Sequence, residues 1–158
     1  MTSLILLFSI ASLISQPDGK LPNFSGTWTE IPGTSQPAGM PPLTPITIRQ
    51  DSGNVTVLDS SNEQATYRLD GSETQNKKRL GQPEMRSVTS TARWAGSRLI
   101  LTDRSELWKR ETTYSFREDG SGDLVVTLTL TGLYERSGAL TVGSIGPNTR
   151  YYRKKSGI

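Results

Sequence analysis

Leu124-Val125-Val126-Thr127-Leu128-Thr129-Leu130-Thr131 decides the fold. Leu124, Val126, Leu128 and Leu130 fall on one face of an extended chain, and Val125, Thr127, Thr129 and Thr131 fall on the other. A period of two with β-branched residues marks a half-buried strand. The same beat runs upstream. Thr112, Tyr114 and Phe116 close at Glu118-Asp119-Gly120. Leu99, Leu101 and Asp103 follow a Gly96-Ser97 turn, and before it Val88, Ser90, Ala92 and Trp94 alternate with Thr89, Thr91 and Arg93. Ala65, Tyr67 and Leu69 alternate with Thr66 and Arg68 and stop at Asp70-Gly71. Ile46 and Ile48 lead through Asp51-Ser52-Gly53-Asn54 to Val55 and Val57. Residues 23–29 form the first strand and residues 149–153 the last. Tight Gly-containing turns of this kind join antiparallel neighbours.

Three stretches between these runs lack the beat. Residues 31–43 are rich in Pro and Gly, residues 72–86 are polar and carry Lys77-Lys78-Arg79, and residues 137–147 are rich in Gly. They read as loops. The count is eight or nine strands, with no helical spacing after the first apolar run. An open meander of that length exposes two edges, and closure removes them. The expected fold is therefore all-β: a single antiparallel up-and-down β-barrel of about 8–9 strands. A two-sheet β-sandwich is the alternative, because hairpin order does not separate the two.

The composition narrows the chemistry. The chain has 158 residues, 33% hydrophobic and 21% charged, with a net charge of +3. This fits one domain with a thin core. There is no Cys and no His. Disulfides, thiol nucleophiles, imidazole bases and Cys- or His-ligated metals are excluded. No metal site and no cofactor are expected.

Residues 4–14 (LILLFSIASLI) are apolar, and Ser15, Gln16 and Pro17 follow. The run is shorter than the roughly 20 residues that span a bilayer and matches the core of a secretory signal, although no Lys or Arg precedes it. The expected organisation is a signal peptide over 1–15, a linker over 16–22 and a barrel over 23–155. This predicts a periplasmic or secreted protein with no stable membrane anchor.

Asn23-Phe24-Ser25-Gly26-Thr27-Trp28 resembles the opening strand of the lipocalin and avidin groups, the calycins. It also resembles exported bacterial proteins that open Phe-Ser-Gly-Thr-Trp and have no agreed activity. The resemblance implies a lipocalin-like barrel whose floor is built by Gly26, where strands approach closely, and Trp28, which plugs that end. It further implies an Arg from the last strand packed over Trp28, Arg153 or Arg150. Thr102-Asp103-Arg104 looks like the lipocalin Thr-Asp motif but falls inside a strand rather than at a turn.

Tyr67, Trp94, Tyr114 and Phe116 lie on the apolar faces of their strands, as Trp28 does. They would line a cavity for a small apolar ligand, or simply fill the core. Arg68 and Arg93, like Arg49, lie on the Thr-rich faces. They could grip a ligand carboxylate only if that face turned inward, and are otherwise solvated. Lys77-Lys78-Arg79 and Tyr151-Tyr152-Arg153-Lys154-Lys155 fit a soluble loop and a charged edge strand, so no nucleic acid partner is expected. Asp103, Glu106 and Glu111 could form a carboxylate pair, but beside Arg104, Lys109 and Arg110 they read as cross-hairpin ion pairs. No catalytic residue is assigned. The expected function is that of an exported protein binding a small apolar ligand. A structural or protein-interaction module with a filled core, or a barrel enzyme of cyclase or isomerase type, are the alternatives.

Overall fold

A computed structural model describes residues 20–40, 43–79, 84–136 and 139–156, with backbone alone at 134–136 and 139–141. The expected signal peptide lies outside these residues. Ten strands follow one another: β1 Gly26–Glu30, β2 Ile46–Gln50, β3 Asn54–Leu58, β4 Gln64–Arg68, β5 Thr74–Lys78, β6 Arg86–Ala95, β7 Arg98–Arg104, β8 Trp108–Phe116, β9 Leu124–Arg136 and β10 Ala139–Lys154. All ladders are antiparallel, in the order β4-β3-β2-β1-β10-β9-β8-β7-β6-β5. Every neighbour is a neighbour in sequence except β1 and β10, whose pairing (Trp28 opposite Lys154) bends the sheet into a nearly closed up-and-down barrel.

Two expected loops are strands. Residues 72–86 contain β5, whose sequence Thr-Gln-Asn-Lys-Lys offers no apolar alternation; its inward positions are polar or charged. Residues 137–147 belong largely to β10, where the Gly and Pro mark a shift of register between Ile145 and Asn148. Gly146 there adopts φ +105°, and a Cβ would meet the Leu128 carbonyl oxygen at 2.5 Å. A bulge of this kind needs glycine without ending the strand. β10 also lies between β1 and β9, so its basic tail is not a sheet edge.

The apolar faces point inward. Phe24, Trp28, Ile48, Val55, Tyr67, Leu99, Leu101 and Leu124 are buried in one core. On the opposite face Thr side chains pair across strands: Thr27 with Thr47 at 3.3 Å, Thr56 with Thr66 at 2.9 Å, and Thr127 with Thr149 at 3.1 Å. Arg49, Arg68 and Arg93 share this outer face and are exposed.

One end is closed by aromatic rings. Phe24 lies 4.9 Å from Phe116 and 6.1 Å from Trp94, centroid to centroid, and the Trp28 indole N–H donates to the Phe24 carbonyl at 2.9 Å. Gly26 takes φ +149°, and a Cβ there would run into the Lys154 side chain. The cation over Trp28 is Lys154, 5.7 Å from the ring centroid, rather than Arg153. Register explains the correction. Lys154 is opposite Trp28, whereas Arg153 is opposite Thr29 and pairs with Asp123 at 3.0 Å.

The barrel has a seam. Edge strands β4 and β5 share no backbone ladder. Instead, the Asn76 amide stands in for a neighbouring strand. Its Oδ1 accepts from Thr66 N–H at 3.0 Å and its Nδ2 donates to the Thr66 carbonyl at 2.9 Å. Thr74 Oγ1 donates to the same carbonyl at 2.9 Å, and Arg79 pairs with buried Glu63 at 3.1 Å. Asn76→Leu should therefore lower stability by about 1–2 kcal/mol and speed hydrogen exchange at Thr66 N–H. Amide exchange followed by NMR checks it; unchanged protection of Thr66 would show that the zipper does not hold the seam.

Candidate functional site

A cavity of about 230 Å³ lies inside the barrel, away from the aromatic floor. The ladders place its walls. One row across the sheet runs Tyr114, Val126, Arg150, and the next runs Thr112, Leu128, Asn148. All point inward by the period of two. Ile46 and Val57 complete the apolar side, and Leu43, Ser60 and Ser61 form a rim.

The polar side is organised by Asp103 on β7, which is 1% exposed. Its carboxylate accepts from Ser90 Oγ at 2.6 Å and from the Tyr67 hydroxyl at 3.0 and 3.1 Å. Oδ2 also takes Arg110 Nε at 3.2 Å, Arg110 Nη2 at 3.0 Å and Lys78 Nζ at 3.3 Å. These partners come from β4, β5, β6 and β8, so one carboxylate ties both seam edges to the strands between them. Arg110 also reaches Asp59 at 4.0 Å. A second pair links β1 to β10: Arg150 Nη1 donates to Glu30 at 2.8 and 2.9 Å, and Glu30 accepts the Leu43 N–H at 2.7 Å.

The electrostatics follow from this arrangement. Burial alone would raise the Asp103 carboxyl, but Lys78 and Arg110 beside it outweigh burial and hold it below its ordinary value. Burial, reinforced by Arg110, pulls the Lys78 ammonium down against the pull of Asp103. Burial, then Asp103, pushes Tyr67 well up; burial also raises Tyr114, and it lifts Tyr152 to about 12, helped by Glu30. All three tyrosines are thus neutral O–H groups at physiological pH.

Of the residues named from sequence, Tyr67 and Tyr114 line this cavity. Trp94 and Phe116 belong to the aromatic floor instead. Arg68 and Arg93 do not face the cavity, which corrects the carboxylate-gripping expectation: they sit at outward positions of β4 and β6, and Arg68 pairs with Asp70 in solvent. Glu106 is exposed and Glu111 pairs with Lys109 at 3.3 Å, so neither joins Asp103. Lys78, Arg110, Arg150 and Tyr152 were not recognised as site residues. Parity could have found Arg110, which shares the inward face with Thr112 and Tyr114 just as Asp103 shares it with Leu99 and Leu101, whereas β5 offers no apolar neighbours to mark Lys78. An ionisable residue on an apolar strand face requires a partner.

Among the described residues, no group of three or more acidic side chains is placed to hold a metal ion. Asp103 already serves four side chains, so it has little capacity left to take a proton from a substrate. No protein-family model matches the chain, and no curated protein matches it by sequence.

Proposed function

We propose that this chain is an exported binding protein, a lipocalin-like barrel that holds a small molecule in the 230 Å³ cavity without transforming it. The observation that carries this reading is the two-sided lining. Ile46, Val57, Val126 and Leu128 offer apolar contact, and facing them are polar groups aimed inward from rigid strands. Ligand sites combine apolar walls with placed polar groups, and here the two kinds share the lining about evenly. Placement on strands rather than loops keeps those groups in position before a ligand arrives. Binding rather than catalysis is supported by the full occupation of Asp103. Export is supported by the apolar run at residues 4–14, and the calycin relationship by residues 23–28.

The test is to expose the purified barrel to a lipid and metabolite extract, wash it, and weigh it by native mass spectrometry. The expected result is a retained small molecule that is lost when Val126→Trp fills the cavity. An unliganded mass under all conditions, with the variant folded and indistinguishable, would overturn the reading.

A further inference from the structure

Inside the cavity, charge and hydrogen bonding tell different stories. The charges are matched: Lys78 and Arg110 against Asp103 and Asp59, and Arg150 against Glu30. A ligand carboxylate arriving there would have to break one of these buried pairs, and leaving a buried charge uncompensated is costly. The hydroxyls are not matched. Tyr114 is 6% exposed and Tyr152 is 2% exposed. Both side chains line the cavity, and the two phenols are close enough to influence each other electrostatically. Neither hydroxyl has a hydrogen-bond partner among the described residues. Nor does Thr112, buried beside them. Tyr67, by contrast, spends its hydroxyl on Asp103. None of the three oxygens is sealed in by protein, since the one buried, partnerless side-chain polar atom among the described residues is Trp108 Nε1, so each opens onto the cavity space where a bound molecule would meet it.

We infer that the ligand is a compact, uncharged ring carrying hydroxyl or carbonyl oxygens, held by the Tyr114 and Tyr152 hydroxyls. This rests on the binding reading above and names its ligand class. Size agrees. An apolar cavity of about 150 Å³ accepts benzene, and 230 Å³ leaves room for one ring with two short polar substituents. Long acyl chains do not fit that volume. The ring lies against Val126 and Leu128, and its oxygens exchange hydrogen bonds with the phenols. Because both phenols stay protonated, they can donate to a carbonyl or accept from a hydroxyl.

Calorimetric titration tests this with three probes of similar outline, 4-hydroxyacetophenone, 4-hydroxybenzoate and ethylbenzene, and with one long acyl chain, palmitate. The expected order places 4-hydroxyacetophenone first, by about tenfold over each of the others. Tyr114→Phe and Tyr152→Phe should each weaken it roughly 5- to 10-fold, the worth of one net hydrogen bond. Their melting temperatures should stay unchanged, because no protein hydrogen bond is lost. Tighter binding of 4-hydroxybenzoate or palmitate, or full affinity in both Phe variants, would overturn the ligand class. If none of the four binds but the extract still yields a retained molecule, the ligand class fails and the binding reading stands. If nothing binds in either experiment, both fail.

Discussion

Asp103→Asn should remove about 3–5 kcal/mol of folding free energy, the usual consequence of stripping one partner from a buried ionic cluster. Lys78 and Arg110 would then face each other with only Asp59 nearby, and Lys78 is only 3% exposed. A domain of this size holds only about 5–15 kcal/mol in total, so the variant should be marginal. Urea unfolding followed by tryptophan fluorescence measures the loss. Adding Lys78→Met to Asp103→Asn removes the uncompensated ammonium and should recover part of it. A double variant no more stable than Asp103→Asn would show that the carboxylate acts some other way. The pH dependence has a fixed sign. Asp103 has a folded pKa below its ordinary 3.8, so its contribution is complete above that value and fades as pH falls through the folded value. The gap between wild type and Asp103→Asn should accordingly narrow in acid. A gap that stays constant below pH 3.8 would contradict the assignment.

The second large effect is expected at the floor. Trp28→Ala should cost about 3–5 kcal/mol, as truncation of a buried aromatic does when the site cannot collapse. Trp28 is 2% exposed, packs against Phe116 and supplies the donor for the Phe24 carbonyl. Trp28→Phe keeps the ring but orphans that carbonyl, and should cost about 1–3 kcal/mol. Thermal unfolding by circular dichroism ranks the three proteins; equal melting temperatures for Trp28→Ala and wild type would remove Trp28 from the core argument.

Much of the architecture was legible because strands speak in alternation. Residues 124–131 state their two faces outright, and the structure puts Leu124 in the core with Thr127 and Thr129 outside it. β5 was illegible for the same reason. Its inward residues Thr74, Asn76 and Lys78 work through hydrogen bonds and charge rather than apolar contact. β10 was half hidden because Gly146 and Pro147 signal a loop locally, while the pairing with β9 that carries the strand past them is a tertiary fact. The site divided along the same line. Tyr67 and Tyr114 announced themselves as aromatic and inward. The charges did not, because Lys78 sits in a basic triplet that resembles a surface loop and Asp103 among residues that resemble surface pairs. Only closure of the barrel brings β4, β5, β7 and β8 to one point.

The seam has a consequence for how this polypeptide can be divided. Strands β1–β4 and β5–β10 are two self-contained meanders, and the covalent passage between them, residues 69–73, belongs to no ladder. Its backbone bonds stay on the β1–β4 side, from Leu69 N–H to the Gly53 carbonyl and from Gly71 N–H to the Arg68 carbonyl. Severing the chain at Gly71 would leave every strand pairing intact. The halves would still meet along β1 and β10, extended by Ile31 and Gln36 bonding to Tyr151 and Thr149 at 2.8 Å. Co-expressed as separate pieces, they are expected to reunite along that ladder, and the reunion would then report on whatever brings two fused partners together.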